Sequence, residues 1–265
     1  MSEELIRLGL VDEEEIVLDE AALVLAGLDH LGTDPSSYED LIEAIAIRLD
    51  AVACDASAAR ARADALSQVL AEEFGFTGDR DTYDDPANAD LIRVLDRRRG
   101  LPVSLSILYV AAARRLGWTA DVLDVPGHVL VLIAEDASPV VVDPFRGGIL
   151  VGRERLAAMV TAPGPATGAA RHVAAMPNRA VLVRLLLNQA TRAEQVGKGR
   201  RALELYRRMT LMAPDHGHAW WERARLELAD GDVPAARNSL TAMLEVTREP
   251  VLRKRVTGTL QALGA

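Results

Sequence analysis

The feature that most constrains the fold is a long apolar segment followed by three short β-rich runs. Residues 104–116 contain three consecutive alanines and end before Gly117, which predicts a buried helix. The three runs span residues 119–125, 128–133 and 140–142. Pro126-Gly127 and the segment 135–139 predict turns between them. Residues 76–160 are therefore expected to form a helix followed by an antiparallel sheet.

The N-terminal segment, residues 1–75, predicts helices and little strand. Apolar residues such as Leu18, Ala22 and Leu25 recur at helical spacing. Asp34-Pro35-Ser36 fits the start of a helix, since proline suits the first helical turn and Asp or Ser caps it. We expect three helices in this segment beyond about residue 17.

The C-terminal segment, residues 178–265, predicts helices that repeat with an offset of 34 residues. The matching pairs are Leu186 with Trp220, Ala190 with Ala224, Gly197 with Gly231, Ala202 with Ala236, Tyr206 with Leu240, and Met209 with Met243. This period, with small residues where helices approach, is typical of tetratricopeptide repeats. Two repeats need a further neighbour, either the middle region of the chain or a following helix, and residues 251–263 are expected to cap them. Residues 161–177 begin with a Pro-, Gly- and Ala-rich stretch and predict a linker.

The charge and the hydropathy of the chain limit the kinds of partner that it is expected to bind. The formal net charge is −9, and residues 1–55 alone hold 15 acidic and 2 basic side chains. An acidic chain has no electrostatic attraction to phosphate backbones, so no nucleic-acid partner is predicted. The acidic segment is either a solvated surface or a face that docks on a basic surface. No apolar stretch has bilayer length and no signal peptide is visible, so no membrane partner and a cytoplasmic location are expected.

The single cysteine, Cys54, limits the chemistry further. One thiol excludes an internal disulfide and any zinc site that needs two thiolates. No metal and no cofactor are predicted. Because Cys54 lies in the N-terminal helical segment, well before the apolar helix, we expect it to be a small buried apolar residue and not a nucleophile.

His128 and Asp143 are the candidate acid–base pair. His128 begins one predicted strand and Asp143 ends another, and adjacent antiparallel strands can bring two such residues side by side. A carboxylate beside a histidine fixes its tautomer and stabilises the imidazolium, as in a catalytic triad. Alternatively, an isolated histidine at the end of a strand has a structural role and takes no part in catalysis. Ser104, at the start of the apolar helix, is the nearest hydroxyl to a nucleophile position.

Three blocks, DRRRGLPVSLS, PGH and DPFRGG, together resemble the SirB1-type transglutaminase-like proteins. The resemblance implies an α+β fold, with a transglutaminase-like (papain-type) core at 76–160 between the helical segment 1–75 and, after the linker 161–177, tetratricopeptide-like repeats at 178–265. It also implies a Cys-His-Asp triad. His128 and Asp143 match the last two members, whereas the cysteine position falls in Pro102-Val103-Ser104, where the thiol is missing.

The cluster Asp96-Arg97-Arg98-Arg99 precedes this position and has two readings. The arginines, with Tyr109 on the apolar helix, are candidate substrate-binding residues at the mouth of the site. Alternatively, one arginine pairs with Asp96 or Asp143 and the others are solvated.

Two main functions remain. The first is a non-catalytic, regulatory scaffold that binds an unknown protein or peptide through the old active-site groove and the helical repeats. The second is a hydrolase or acyltransferase with a Ser104-His128-Asp143 triad. A third reading is a regulatory protein whose core has no ligand role. The distance between the Ser104 hydroxyl and the His128 ring distinguishes the scaffold from the enzyme, because a catalytic base must lie within hydrogen-bond reach of the nucleophile.

Overall fold

A computed structural model describes residues 3–134, 138–161 and 173–264 of the chain. The helices are α1 Glu3–Leu10, α2 Leu18–Gly27, α3 Ser36–Val52, α4 Ala59–Ser67, α5 Leu91–Arg97, α6 Pro102–Arg115, α7 Arg153–Thr161, α8 Asn178–Gln195, α9 Gly199–Met212, α10 Gly217–Ala229, α11 Val233–Val246 and α12 Pro250–Ala262. The strands are β1 Thr77–Gly78, β2 Arg99–Gly100, β3 Thr119–Val125, β4 His128–Ala134, β5 Val140–Asp143, β6 Ile149–Leu150 and β7 Ala174–Ala175. Most of the predicted linker and part of the predicted 135–139 turn lie outside the described residues.

The chain divides into two compact units. One comprises Ile16–Leu182, and the other comprises the described residues of 1–15 and 183–265. Residues 3–15 thus group with the C-terminal helices and not with the rest of the predicted segment 1–75. Helices and a sheet occur together, so the α+β class is confirmed. Among the described helices, none combines the length and apolar character needed to cross a bilayer.

The unit Ile16–Leu182 is organised around a five-stranded antiparallel sheet of order β6-β5-β4-β3-β7. Side chains alternate between its two faces. One face carries Leu123, Leu130 and Val141, which form a core with residues of α7 such as Met159. Helix α6 contacts β3 and β4 of this sheet. The predicted buried helix and the three predicted strands correspond to α6, β3, β4 and β5, whereas β6, β7 and α7 were not predicted.

Helix α6 is buried along almost its whole length. Pro102 occupies its first turn, where a missing backbone N–H removes no helical hydrogen bond. Every residue from 103 to 113 is buried. The helix ends at Leu116 and Gly117, and Gly117 adopts a positive φ of 73°. A helix buried on all sides explains why the sequence shows an unbroken apolar stretch in place of an amphipathic pattern.

Two very short strands, β1 and β2, pair in parallel beside the start of α6. The pairing sets Thr77 opposite Arg99 and Gly78 opposite Gly100. Gly78 lies directly against Phe145, in the 3-10 turn Pro144–Arg146 that follows β5. A side chain at position 78 would collide with Phe145, so this glycine allows the β1 loop to approach the end of β5.

The second unit consists of helices. Alanines lie buried where the helices meet, including Ala224 of α10 and Ala236 of α11. Val256 of α12 joins the same apolar cluster, which fits the predicted capping role of this helix. The N-terminal helix α1 packs on α9, with Leu5 buried and Gly9 directly against the Leu211 backbone carbonyl.

Candidate functional site

The ends of β4 and β5 bring His128 and Asp143 near each other. Pro126-Gly127 forms a tight turn between β3 and β4, and Gly127 has the positive φ of 76° that this turn needs. Val131 pairs with Val142 across β4 and β5. Continuing this register by one residue sets Asp143 opposite position 130 and diagonal to His128, at a separation typical of interacting diagonal neighbours.

The Asp143 carboxyl is buried, with only 5% of the residue exposed. Burial raises its pKa, because the charged form loses solvation. A backbone hydrogen bond from Arg146 and the charges of Arg146, His128 and Arg155 act in the opposite direction. His128 itself is exposed, and among the described residues no hydrogen bond joins its ring to Asp143. The two residues are therefore electrostatic neighbours without the direct contact of a working triad.

Among the described residues, Ser104 makes no direct contact with His128 or Asp143. It is fully buried near the start of α6, and its hydroxyl donates to the backbone carbonyl of Asn88 at 2.7 Å. A serine nucleophile would instead donate its proton to the histidine base. In this arrangement Ser104 anchors the loop before α5 to the start of α6.

The expectation that Cys54 is buried is wrong. Cys54 is exposed in the turn after α3. The polypeptide leaves the helix at Ala53, which is itself buried, and the next side chain points to the surface. Cys54 borders a shallow surface depression with Asp55 and Asp64, and His128 does not line that depression.

Arg97 and Arg99 have carboxylate partners supplied by the β1 loop. Arg97 donates to the Asp79 carboxylate at 2.9 Å and to the Asn88 side-chain oxygen at 3.1 Å. Arg99 pairs with Asp81 at 3.1 Å. Asp79 also accepts from the Thr82 hydroxyl at 2.6 Å, and these hydrogen bonds hold its pKa below the ordinary range. The partners are thus neither Asp96 nor Asp143, and the two arginines fasten the loop to α5 and β2.

Arg98 differs from its two neighbours. It ends α5 in the left-handed conformation, with φ at 57°, and its guanidinium stacks on Phe76 at 4.8 Å from the ring centre. Burial lowers the pKa of this guanidinium. Arg98 therefore packs against the apolar core, and its role in this structure is one of packing.

Tyr109 lies in the core and is fully buried. Burial, with a smaller effect of Asp143, raises the pKa of its phenol. Its hydroxyl has no hydrogen-bond partner among the described residues. It lies beside Gly148, in the turn whose other glycine, Gly147, accepts a hydrogen bond from Ser67 at 2.6 Å. Because Tyr109 is fully buried, the structure does not place it as a substrate-binding residue.

Sequence reasoning missed several residues around Asp143. Phe145 packs edge-on against Tyr83, with ring centres 5.7 Å apart and an interplanar angle of 77°. Arg146 and Arg155 are exposed, and both act on the Asp143 carboxyl. Phe145 and Arg146 belong to the block DPFRGG, and their position directly after Asp143 in the chain could have identified them as site residues. Within the described part of the chain, no cluster of three or more His, Cys, Asp or Glu is arranged to hold a metal ion.

Comparison with known proteins gives one extended match and several relatives. Residues 36–187 match the family model described as the transglutaminase-like superfamily. A UPF0162 protein of Xylella fastidiosa is 31% identical over 244 residues, which cover 90% of this chain and 87% of the relative. A UPF0162 protein of Vibrio cholerae is 32% identical over 129 residues, 48% of each chain. F-box only protein 21 of Mus musculus is 35% identical over 82 residues, 31% of this chain and 13% of that protein.

Proposed function

The chain belongs to the transglutaminase-like superfamily, and from that premise we propose that it is a member without a catalytic cysteine that binds a peptide or protein segment. The observation that carries the proposal is the Ser104 hydroxyl, which is buried and donates to the Asn88 carbonyl. In the resembled family the nucleophile occupies this stretch at the start of the helix. A buried structural hydrogen bond there supplies neither an accessible nucleophile nor a proton path to His128.

The helical unit supports a recognition role. We assign it tetratricopeptide-type repeats, and the chain as a whole to the SirB1-type branch, on the sequence blocks described above. Several residues related by the 34-residue offset have like environments. Ala202 and Ala236 are both fully buried, and Gly197 and Gly231 both end a helix with positive φ, 72° and 81°. Such repeats present side chains on an extended surface suited to binding a partner.

The alternative is a hydrolase or acyltransferase that uses Ser104, His128 and Asp143. One observation favours it, namely that the strand register sets His128 diagonal to the buried Asp143. In this alternative the Ser104 hydroxyl leaves Asn88 and turns toward the histidine when substrate binds. That movement would expose a hydroxyl that is now fully buried.

Fluorophosphonate labelling of the full chain separates the two functions. We expect no labelling at Ser104, and binding to a peptide array that is retained in Ser104→Ala. Ser106→Ala is the matched control, because Ser106 is a second fully buried serine of α6. Labelling of the wild-type chain and of Ser106→Ala that disappears in Ser104→Ala would establish the enzyme and overturn the proposal.

A further inference from the structure

Three exposed, positively charged or titratable side chains surround the buried Asp143. His128 begins β4, Arg146 lies in the 3-10 turn after β5, and Arg155 lies in the first turn of α7. The strand register sets Asp143 diagonal to His128, Arg146 follows Asp143 by three positions, and Arg155 lies on α7, whose Met159 packs with Leu130 of β4. The charges of these three residues, which come from separate elements, also act on the Asp143 carboxyl. The fold therefore gathers them at one place on the surface.

The positive charge at this place is not neutralised. Among the described residues, neither Arg146 nor Arg155 forms an ion pair, and the one carboxylate between them is buried. Some other arginines of the same unit have carboxylate partners, as Arg97 has Asp79 and Arg114 has Asp121. In a chain with a formal net charge of −9, an uncompensated pair of arginines marks a surface that attracts anions.

An aromatic pair lies beside these charges. Phe145 is the residue before Arg146, and its ring packs edge-on against Tyr83, which is 44% exposed. The pair offers an apolar surface with a hydroxyl at its edge, and one of its members directly precedes Arg146 in the chain. Tyrosine and arginine are the residue types enriched where proteins bind peptide segments.

We propose that Arg146, Arg155 and His128 form a binding surface for an acidic peptide segment, with an apolar side chain of that segment against Tyr83 and Phe145. Guanidinium groups bind carboxylates through paired N–H donors, which fits glutamate or aspartate side chains. The overall acidity of the chain disfavours the long phosphate backbone of a nucleic acid. The inference rests on the proposed function and adds the chemical class of the ligand.

Binding of two fluorescein-labelled peptides to the full chain tests the proposal by fluorescence anisotropy. One peptide alternates glutamate with leucine, and the other alternates lysine with leucine. We expect the acidic peptide to bind and the basic one not to bind. Arg146→Gln and Arg155→Gln should each weaken binding about two- to fivefold, the size typical of an exposed charge pair. Added salt should weaken the wild-type interaction, since it screens exposed charges.

The control variant is Arg153→Gln, an exposed arginine of the same helical turn as Arg155 that lies outside the proposed binding surface. It should bind the acidic peptide like the wild type. Tyr83→Ala should weaken binding more than Tyr83→Phe does. Equal affinity for the two peptides, or equal losses in the Arg146, Arg155 and Arg153 variants, would overturn the acidic-peptide site. If the peptide array of the previous section then still yields ligands, the proposed function stands without this site, whereas an array without ligands refutes both.

Discussion

The turn after Asp143 gives the sharpest test of how the site is built. Gly148 has a positive φ of 78°, and its N–H donates to the Asp143 carbonyl at 2.9 Å. A Cβ added at Gly148 would lie 2.7 Å from the Tyr109 hydroxyl oxygen and 3.0 Å from the Ser67 Cβ. Gly148→Ala therefore imposes both an unfavourable backbone conformation and a steric overlap.

The two costs can be separated. A left-handed conformation costs a non-glycine residue about 1–2 kcal/mol. Overpacking a buried site costs about 1–3 kcal/mol more. We expect Gly148→Ala to lower the free energy of unfolding by about 2–5 kcal/mol. Gly127→Ala is the matched control, since its φ is 76° and nothing lies within 4 Å of an added Cβ, so it should show the backbone cost alone.

A second substitution isolates the steric part. Tyr109→Phe removes the oxygen that an alanine at position 148 would meet, and this hydroxyl has no hydrogen-bond partner among the described residues. Alone, Tyr109→Phe should leave stability unchanged or raise it, because an unsatisfied buried hydroxyl is lost. In the double variant the loss should shrink by about 0.5–3 kcal/mol relative to the sum of the single effects.

Urea unfolding followed by circular dichroism measures all four variants. The reasoning is refuted if Gly148→Ala is no more destabilising than Gly127→Ala. It is also refuted if the effects of Gly148→Ala and Tyr109→Phe simply add, because the structure places the overlap between these two residues.

Two further predictions concern the helical unit. Glu227 is fully buried and accepts hydrogen bonds from Arg223 at 2.9 Å and from Ser239 at 2.6 Å. Glu227→Ala should therefore cost about 3 kcal/mol in urea unfolding, and Glu227→Gln should cost clearly less because it keeps an acceptor. His216 accepts from the Ala219 N–H through its ring, and burial lowers its pKa. Because the unfolded histidine has the higher pKa, unfolding takes up a proton below about pH 6.5, and the thermal midpoint should fall on acidification. The variant His216→Asn should show a smaller fall. A thermal midpoint that rises on acidification would contradict the prediction.

Much of the fold was predictable because its signals are local. The strands and α6 combine continuous apolar runs with turn residues such as Pro126-Gly127. The prediction missed α1, α7 and the two-residue strands, since segments of that length carry too little periodicity. The exposure of Cys54 was missed because average burial of a residue type does not determine which way one turn faces.

The candidate site was predictable only in part. The order of β4 and β5 suffices to bring His128 close to Asp143. The partners of the arginines depend on β1 and β2, whose parallel pairing sets Asp79 beside Arg97 across 18 positions of the chain. Likewise, the hydrogen bond from Ser104 to Asn88 depends on tertiary placement. Neither of these two contacts can be inferred from the spacing of the residues in the sequence.

The packing of α1 on α9 has a consequence for how the chain folds during synthesis. These helices belong to one compact unit, but the segment Ile16–Leu182 is translated between them. At about 5–20 residues per second, α1 waits roughly 10 to 40 s for α9 to be made. Over that interval Leu5 has no partner in its own unit and is available to chaperones. Ribosome-bound intermediates should therefore protect the central sheet from proteolysis before they protect the first helix.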